Sequence, residues 1–311
     1  IAGSCSKTNG FFSLGVISLY ALGAMPVRHM VQGQSLHTAV EDNNVSMIDT
    51  LAASGALLNE FDENLMAPLH LAAYYGHLEA VEALIAAGSD LDMPSGSGDM
   101  TAMHWSASQG HTDVLQALVN AGASVEARDQ GKRTALHFAA VRGETVTLKA
   151  LVHVGAKLEA QSALNVTPLQ MAAEGGHAAT LRVLIDAGAS LDAQADKAKM
   201  TPLHAAAAIG HVAAVDVLVG AGAALGSVDQ HRRTPLHHAA ARGHAKTLSS
   251  LIAAGAPLEA RDVQGRTARR AAAAAAHFRA VEVLKAAGAR PPWGPQSLID
   301  SVVAWARRFG S

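Results

Sequence analysis

One short string, or a near copy of it, returns along this chain every 33 or 34 residues, and no other feature restricts the fold so strongly. Its copies are Gln34-Ser35-Leu36-His37, Ala67-Pro68-Leu69-His70, Thr101-Ala102-Met103-His104, Thr134-Ala135-Leu136-His137, Thr167-Pro168-Leu169-Gln170, Thr201-Pro202-Leu203-His204, Thr234-Pro235-Leu236-His237 and Thr267-Ala268-Arg269-Arg270. Units of this length, kept in phase, are single supersecondary modules that cannot bury an apolar face alone and must stack on their neighbours. Composition agrees. Half of the 311 residues are apolar but only 4% are aromatic, too few large side chains for one big globular core. A charged fraction of 16% is too low for a disordered chain. The single cysteine, Cys5, excludes a disulfide scaffold, a thiolate zinc site and a CxxC redox pair together.

Each unit can be built from its residues. Pro68 sits at a first helical turn, where its missing N–H costs nothing, and the Thr that precedes this position in other units can cap the helix. Gly76 suits a left-handed C-terminal residue. After His77 the apolar positions Val81, Leu84 and Ile85 recur at helical spacing until Ala87-Gly88 ends a second helix. The spacing therefore predicts an antiparallel helix pair, followed by an extended turn through Leu91-Asp92 and Pro94-Ser95-Gly96. Alanines at the contacts allow neighbouring helices to approach closely.

The in-phase Thr-Pro-Leu-His copies, the alanine pairs and the Gly-His dipeptides at Gly76-His77, Gly110-His111, Gly176-His177, Gly210-His211 and Gly243-His244 resemble the ankyrin repeat family. The resemblance covers residues 34–290, as about eight repeats starting near 34, 67, 101, 134, 167, 201, 234 and 267. It implies an all-α solenoid of stacked antiparallel helix pairs with projecting β-hairpin fingers. It also implies a non-enzymatic scaffold that binds a partner protein on its concave surface, through the finger tips and the two residues before each Gly-His. Matched to this sequence, those positions include Glu63, Asn64, Met66, Tyr74, Tyr75, Met100 and Gln109 in the first half. In the second half they include Arg133, Arg142, Lys197, Arg233, Arg242 and Arg266. Tyr74-Tyr75 stands out among three tyrosines, because aromatics on a surface of small residues are typical interface anchors.

Periodicity also accounts for most of the sixteen histidines. Six hold the motif position (His37, His70, His104, His137, His204, His237) and six the Gly-His position or its equivalent (His77, His111, His177, His211, His244, His277). In the family such side chains tie a helix to its own turn or to the next repeat, which is the role the resemblance implies here. A metal ladder is the rival. Zinc needs its ligands within about 2.0–2.3 Å, whereas stacked helices lie ~8–10 Å apart, so equivalent histidines cannot share an ion. Of the remainder, His238, adjacent to His237, reads as incidental, and Trp105 as partly buried.

There is no GxSxG elbow, HExxH helix, Walker loop or dinucleotide fingerprint. Ser95-Gly96-Ser97-Gly98 reads as a turn in the one-residue-longer second repeat. No cofactor, metal or small-molecule substrate is expected.

Charge is segregated along the chain. Residues 34–127 carry thirteen Asp/Glu and no Lys or Arg, whereas Arg128 onward carries twenty-two Lys/Arg against thirteen Asp/Glu, so a formal net charge of −2 hides a dipole. The blocks are centred about four repeats, ~40 Å, apart, several times the ~8 Å Debye length, so each pole acts on its own surroundings. Solvated faces would give the same pattern. Two further readings follow: head-to-tail self-association of the poles, and nucleic-acid binding by the basic half. The second is disfavoured by the acids in that half and its scarcity of aromatics for stacking.

Both ends depart from the pattern, as terminal repeats do when one face meets water. Ser297 to Phe309 places Leu298, Val302, Trp305, Ala306 and Phe309 on one stripe, predicting that 291–311 forms a capping helix, with membrane-surface or partner docking as the alternative. Residues 1–33 form a leader whose apolar run, Phe11 to Met25, has the length of a secretory h-region and falls short of the ~20 needed to span a bilayer. A disordered or transit-type leader is the other reading. A repeat array without cysteines fits the cytoplasm, and secretion or an organelle would follow if residues 1–25 are a targeting segment.

Overall fold

The computed structural model describes residues 35–96, 98–195 and 198–291. The leader 1–33, the expected closing helix at 297–309 and Lys197 lie outside the described residues. Within them, helices alternate in two rows. The inner row is α1 (Leu36–Glu41), α3 (Pro68–Tyr75), α5 (Ala102–Gln109), α7 (Ala135–Arg142), α9 (Pro168–Gly175), α11 (Pro202–Ile209), α13 (Pro235–Ala241) and α15 (Ala268–Ala274). The outer row is α2 (Val45–Ala53), α4 (Leu78–Ala87), α6 (Thr112–Asn120), α8 (Thr145–His153), α10 (Ala178–Asp186), α12 (Val212–Gly220), α14 (Ala245–Ala253) and α16 (Phe278–Ala286). Each helix packs on its partner in the pair and on its equivalent one repeat away. Among the described residues no helix is long and apolar enough to cross a membrane.

The local chemistry of the motif sets where inner helices begin. In α5 the Thr101 N–H donates to His104 Nδ1 at 3.0 Å, a bond from the cap residue back to the third helical position. The same ring's Nε2 donates to the Arg133 carbonyl at 3.0 Å, in the turn ahead of the next repeat. His70, His137, His204 and His237 repeat both bonds. Gln170 replaces the ring in α9, its Oε1 accepting from Thr167 N–H and its Nε2 donating to the Met200 carbonyl. Each motif side chain thus pins a helix start to the following turn, and the carbonyl partner fixes the proton on Nε2.

The Gly-His histidines reach the other way. Nε2 of His111, His177, His211 and His244 donates to the carbonyls of Tyr74, Val141, Glu174 and Ala208, each on the preceding inner helix. The ring lies against the glycine that ends that helix. Gly210 has φ +93°, and a Cβ there would stand 2.6 Å from His244 Nδ1, so both conformation and contact demand glycine.

The core runs as one strip between the rows. Leu84, Leu115, Leu118, Leu148, Leu151, Leu181, Leu184 and Leu218 of the outer helices are fully buried. So are alanines such as Ala107, Ala139, Ala172, Ala206 and Ala239 at the contacts between inner helices. Burying each leucine contributes roughly 2–3 kcal/mol, and no pair holds enough of them to stand alone.

The fingers are hairpin-shaped turns without paired strands. Each closes on one backbone bond, such as Asp129 N–H to the Arg133 carbonyl at 3.0 Å, and among the described residues only Ala195 and Met200 form a bridge. Five-residue loops leave no length for a ladder. Adjacent fingers are joined edge to edge by single bonds, as from Gly96 N–H to the Leu65 carbonyl at 2.9 Å. The extra residue of the two 34-residue spacings falls inside the fingers closed by Ser95–Met100 and Ala195–Met200.

Candidate functional site

Two adjacent residues at the C-terminal end of each inner helix from α1 to α13, the second being the cap residue in α1 and α13, lie beside the fingers at one register repeated along the stack. Reading along the chain they are Glu41-Asp42, Tyr74-Tyr75, Ser108-Gln109, Val141-Arg142, Glu174-Gly175, Ala208-Ile209 and Ala241-Arg242. Here the repeat constrains least. Ser108 and Ala208 are buried, but Asp42, Tyr75, Arg142, Ile209 and Arg242 are exposed and differ in charge and size. Fingers and inner helices together bound a single face. At its C-terminal end they enclose a depression of about 260 Å³, with Arg233 and Arg266 as walls and Ala241, Ala274 and Ala275 as floor.

Tyr74 and Tyr75, exposed by 38% and 46%, belong to a row of four rings. Tyr74 meets Trp105 of the next repeat edge to face at 5.5 Å and Tyr75 at 5.2 Å, and Tyr75 stacks on His77 at 5.7 Å. Trp105 is partly buried, as its position suggested. Glu63 and Asn64 are exposed on the first finger, where Asn64 N–H donates to Asp62 Oδ1. Met66 and Met100 are half-buried against the core, and Gln109 is half-buried.

The five arginines divide into two kinds. Arg133, Arg233 and Arg266 each fold back on an aspartate four residues earlier. Arg233 Nε and Nη2 both donate to Asp229 Oδ2 at 2.8 Å, while Arg233 N–H donates to Oδ1 at 2.8 Å. Asp129 and Asp262 repeat the arrangement, with all three carboxylates about 1% exposed. These guanidiniums still show 35–41% of their side chains to solvent, and Arg133 also lies 4.5 Å over the Phe138 ring. Arg142 and Arg242 are exposed and, among the described residues, make no ion pair. Periodicity alone did not single out Asp129, Asp229 and Asp262, although an Asp four residues before an Arg recurs in all three fingers.

His238 is not incidental. It is buried, and its Nε2 donates to Asp229 Oδ2 at 3.0 Å, joining helix, finger and Arg233 in one network. Burial, and then the Arg233 charge, push its pKa down to about 4, so it is held as the neutral donor. Burial alone would raise the Asp229 carboxyl, but the Arg233 backbone and side chain and His238 hold it down at about 2. Ten of the twelve motif histidines bond a backbone carbonyl outside their own helix, and among the described residues no three His, Cys, Asp or Glu side chains converge as a metal site would require. A larger depression, about 610 Å³, lies between the third and fourth fingers, with Arg128, Lys132 and Lys157 on its rim. It extends the basic pole beyond the register just described.

Comparison with known proteins places this geometry. The ankyrin repeat domain of human ASB11 superposes with a TM-score of 0.63 at 24% identity, over 72% of this chain and 99% of that one. At that identity the likeness shows the fold. No curated protein matches the sequence. Family models described as ankyrin repeats (3 copies) match residues 69–162, 147–229 and 206–292, and one described as ankyrin repeats (many copies) matches residues 36–85. Together these matches span most of the repeat array, and the chain belongs to the ankyrin repeat family.

Proposed function

We propose that this chain is a non-enzymatic scaffold that binds a partner protein along the face made by its fingers and inner-helix ends. Ankyrin repeats are in general protein–protein interaction modules. The observation that carries the reading is the register of exposed positions at inner-helix ends. The repeat sets most other positions of the unit, yet Asp42, Tyr75, Arg142, Ile209 and Arg242 hold one register with acidic, aromatic, basic and aliphatic side chains, all exposed. Tyr74 and Tyr75 supply the apolar anchor. Arg142 and Arg242, with the outward sides of Arg133, Arg233 and Arg266, meet acidic groups, and Glu63, Asn64, Met66, Met100, Gln109 and Lys197 complete the contact set.

Affinity capture with the intact chain, beside a variant carrying Tyr74→Ala, Tyr75→Ala, Arg142→Ala and Arg242→Ala, tests this. A captured protein should be lost from the variant and weakened by salt, because the charged contacts are exposed. Retention by the variant, at any salt, contradicts the reading. The segregation of charge supports a second reading, head-to-tail association of acidic and basic ends. Sedimentation at two ionic strengths would show an oligomer that salt dissociates, or a monomer at both.

A further inference from the structure

The end of this face built by the first three repeats has a chemistry of its own. Its four rings, Trp105, Tyr74, Tyr75 and His77, form one continuous row. The charged side chains that residues 35–127 contribute to this end are carboxylates, and Arg133, on the third finger, is tied to Asp129. Glu41 and Asp42 hold the same two inner-helix positions one repeat earlier, and Glu63 stands on the finger between, all three exposed. Residues 34–127 contain no Lys or Arg, and among the described residues none of their carboxylates is in an ion pair.

A partner that covers the rings takes water from these carboxylates. A neutral segment returns nothing for that loss, and an acidic one adds repulsion. A guanidinium or ammonium offsets it and gains the ring faces as well. We infer that the ring row, with Glu41, Asp42 and Glu63, is a subsite for an arginine- or lysine-bearing segment of the partner. The inference rests on the reading that this face is the docking face, and it gives the docked segment a direction. The basic end lies on the first three repeats and the acidic end toward Arg142 and Arg242. Tyr75 and Arg242 are five repeats apart, ~50 Å at ~10 Å per repeat, which an extended chain of about fifteen residues spans.

The test is selection of random twelve-residue displayed peptides on the immobilised full chain. Synthetic copies of the selected sequences are then titrated against wild type, Tyr75→Leu, Tyr75→Phe, the double variant Glu41→Gln/Asp42→Asn, and Arg242→Gln. Peptides that need Tyr75 should carry net positive charge. They should lose at least about fivefold in affinity in Tyr75→Leu and in the double variant, and stay within about twofold in Tyr75→Phe. Binding retained by Tyr75→Phe separates loss of the ring from loss of folding. Peptides that need Tyr75 but are neutral or acidic overturn the inference and leave the docking face intact. Basic peptides indifferent to Tyr75 and the carboxylates overturn it as well. A selection that yields no binder, or only binders indifferent to every substitution, overturns both.

Discussion

The hydroxyl of Thr145 lies 3.0 Å from that of Thr180, across the first turns of α8 and α10, and Thr112 meets Thr147 in the same way at 2.7 Å one repeat earlier. Thr247 holds the corresponding third position of α14, but its counterpart one repeat back is Val212, and its buried hydroxyl has no partner. A buried polar group left unpaired costs about 1–3 kcal/mol. The same substitution should therefore act with opposite sign at two sites. Thr247→Val should stabilise by about 1 kcal/mol, whereas Thr180→Val, which removes one of the two bonds of the Thr145 hydroxyl and leaves the one to the Gly143 carbonyl, should destabilise by about 0.5–1 kcal/mol. Urea denaturation of both variants decides it, and equal losses would show that the hydroxyl pairs contribute nothing.

The motif histidines make the fold sensitive to acid. Burial lowers the pKa of His70, His104, His204 and His237, and brings His137 and His238 to about 4. In the native chain these rings stay neutral. In the unfolded chain they bind protons near pH 6.5. As pH falls through 6.5 the unfolded state takes up protons that the native state refuses, so stability falls, by up to ~1.4 kcal/mol per pH unit for each ring. For His137 and His238 the loss levels off near pH 4, where the native rings protonate too. Asp229, held at about 2 against 3.8 unperturbed, adds a further loss below about pH 3.8. Thermal melts between pH 7.5 and 4.5 should show a steep decline, flattened in His104→Gln/His137→Gln, since Gln170 already makes the same two bonds. An unchanged slope in that double variant would remove these rings as the cause.

The repeating part of the molecule was legible because one bonding scheme is used many times. Thr101 and His104 recur three residues apart in repeat after repeat, and a bond needed that often leaves a periodic trace. His238 left none. Its value depends on Asp229, nine residues earlier in a finger whose path no pattern states. The Arg133, Arg233 and Arg266 pairs lay in between: their aspartates stand at a constant spacing of four, but a finger residue shows as free or tied only once the turn is closed. The ring row was half legible. Tyr74 and Tyr75 were conspicuous, whereas the Trp105 contact and the equivalence of Glu41-Asp42 to the tyrosines needed the helices in register.

Finger geometry offers a stabilising change. The residue two before each inner-helix cap from Ala67 onward adopts a left-handed conformation, with φ of 56° at Lys132 and 57° at Arg232, where the last finger has Gly265 at 70°. A side chain in this region costs about 1–2 kcal/mol, part of which glycine returns as backbone entropy. Lys132→Gly and Arg232→Gly should each stabilise by about 0.5–1 kcal/mol. Chemical denaturation measures this, and destabilisation by both would show that the side chains support the turn through contacts that outweigh the conformational cost.

The two kinds of arginine should separate by stability before any partner is known. Arg233 satisfies a carboxylate that is 1% exposed and shares it with His238, so Arg233→Gln leaves a buried charge short of donors. Removing one member of a buried pair costs about 3–5 kcal/mol. Because Arg233 is 36% exposed, water recovers part of that, and a loss of about 1–3 kcal/mol is expected. Arg242→Gln breaks no ion pair among the described residues and should stay within about 0.5 kcal/mol of wild type. Unfolding midpoints of the two variants, with Arg142→Gln and Arg266→Gln as companions, give the comparison. If Arg242→Gln unfolds as readily as Arg233→Gln, its guanidinium belongs to the fold and loses its claim on an acidic partner. If Arg233→Gln is as stable as wild type, the finger aspartates do not need their arginines, and those side chains return to the binding face unencumbered.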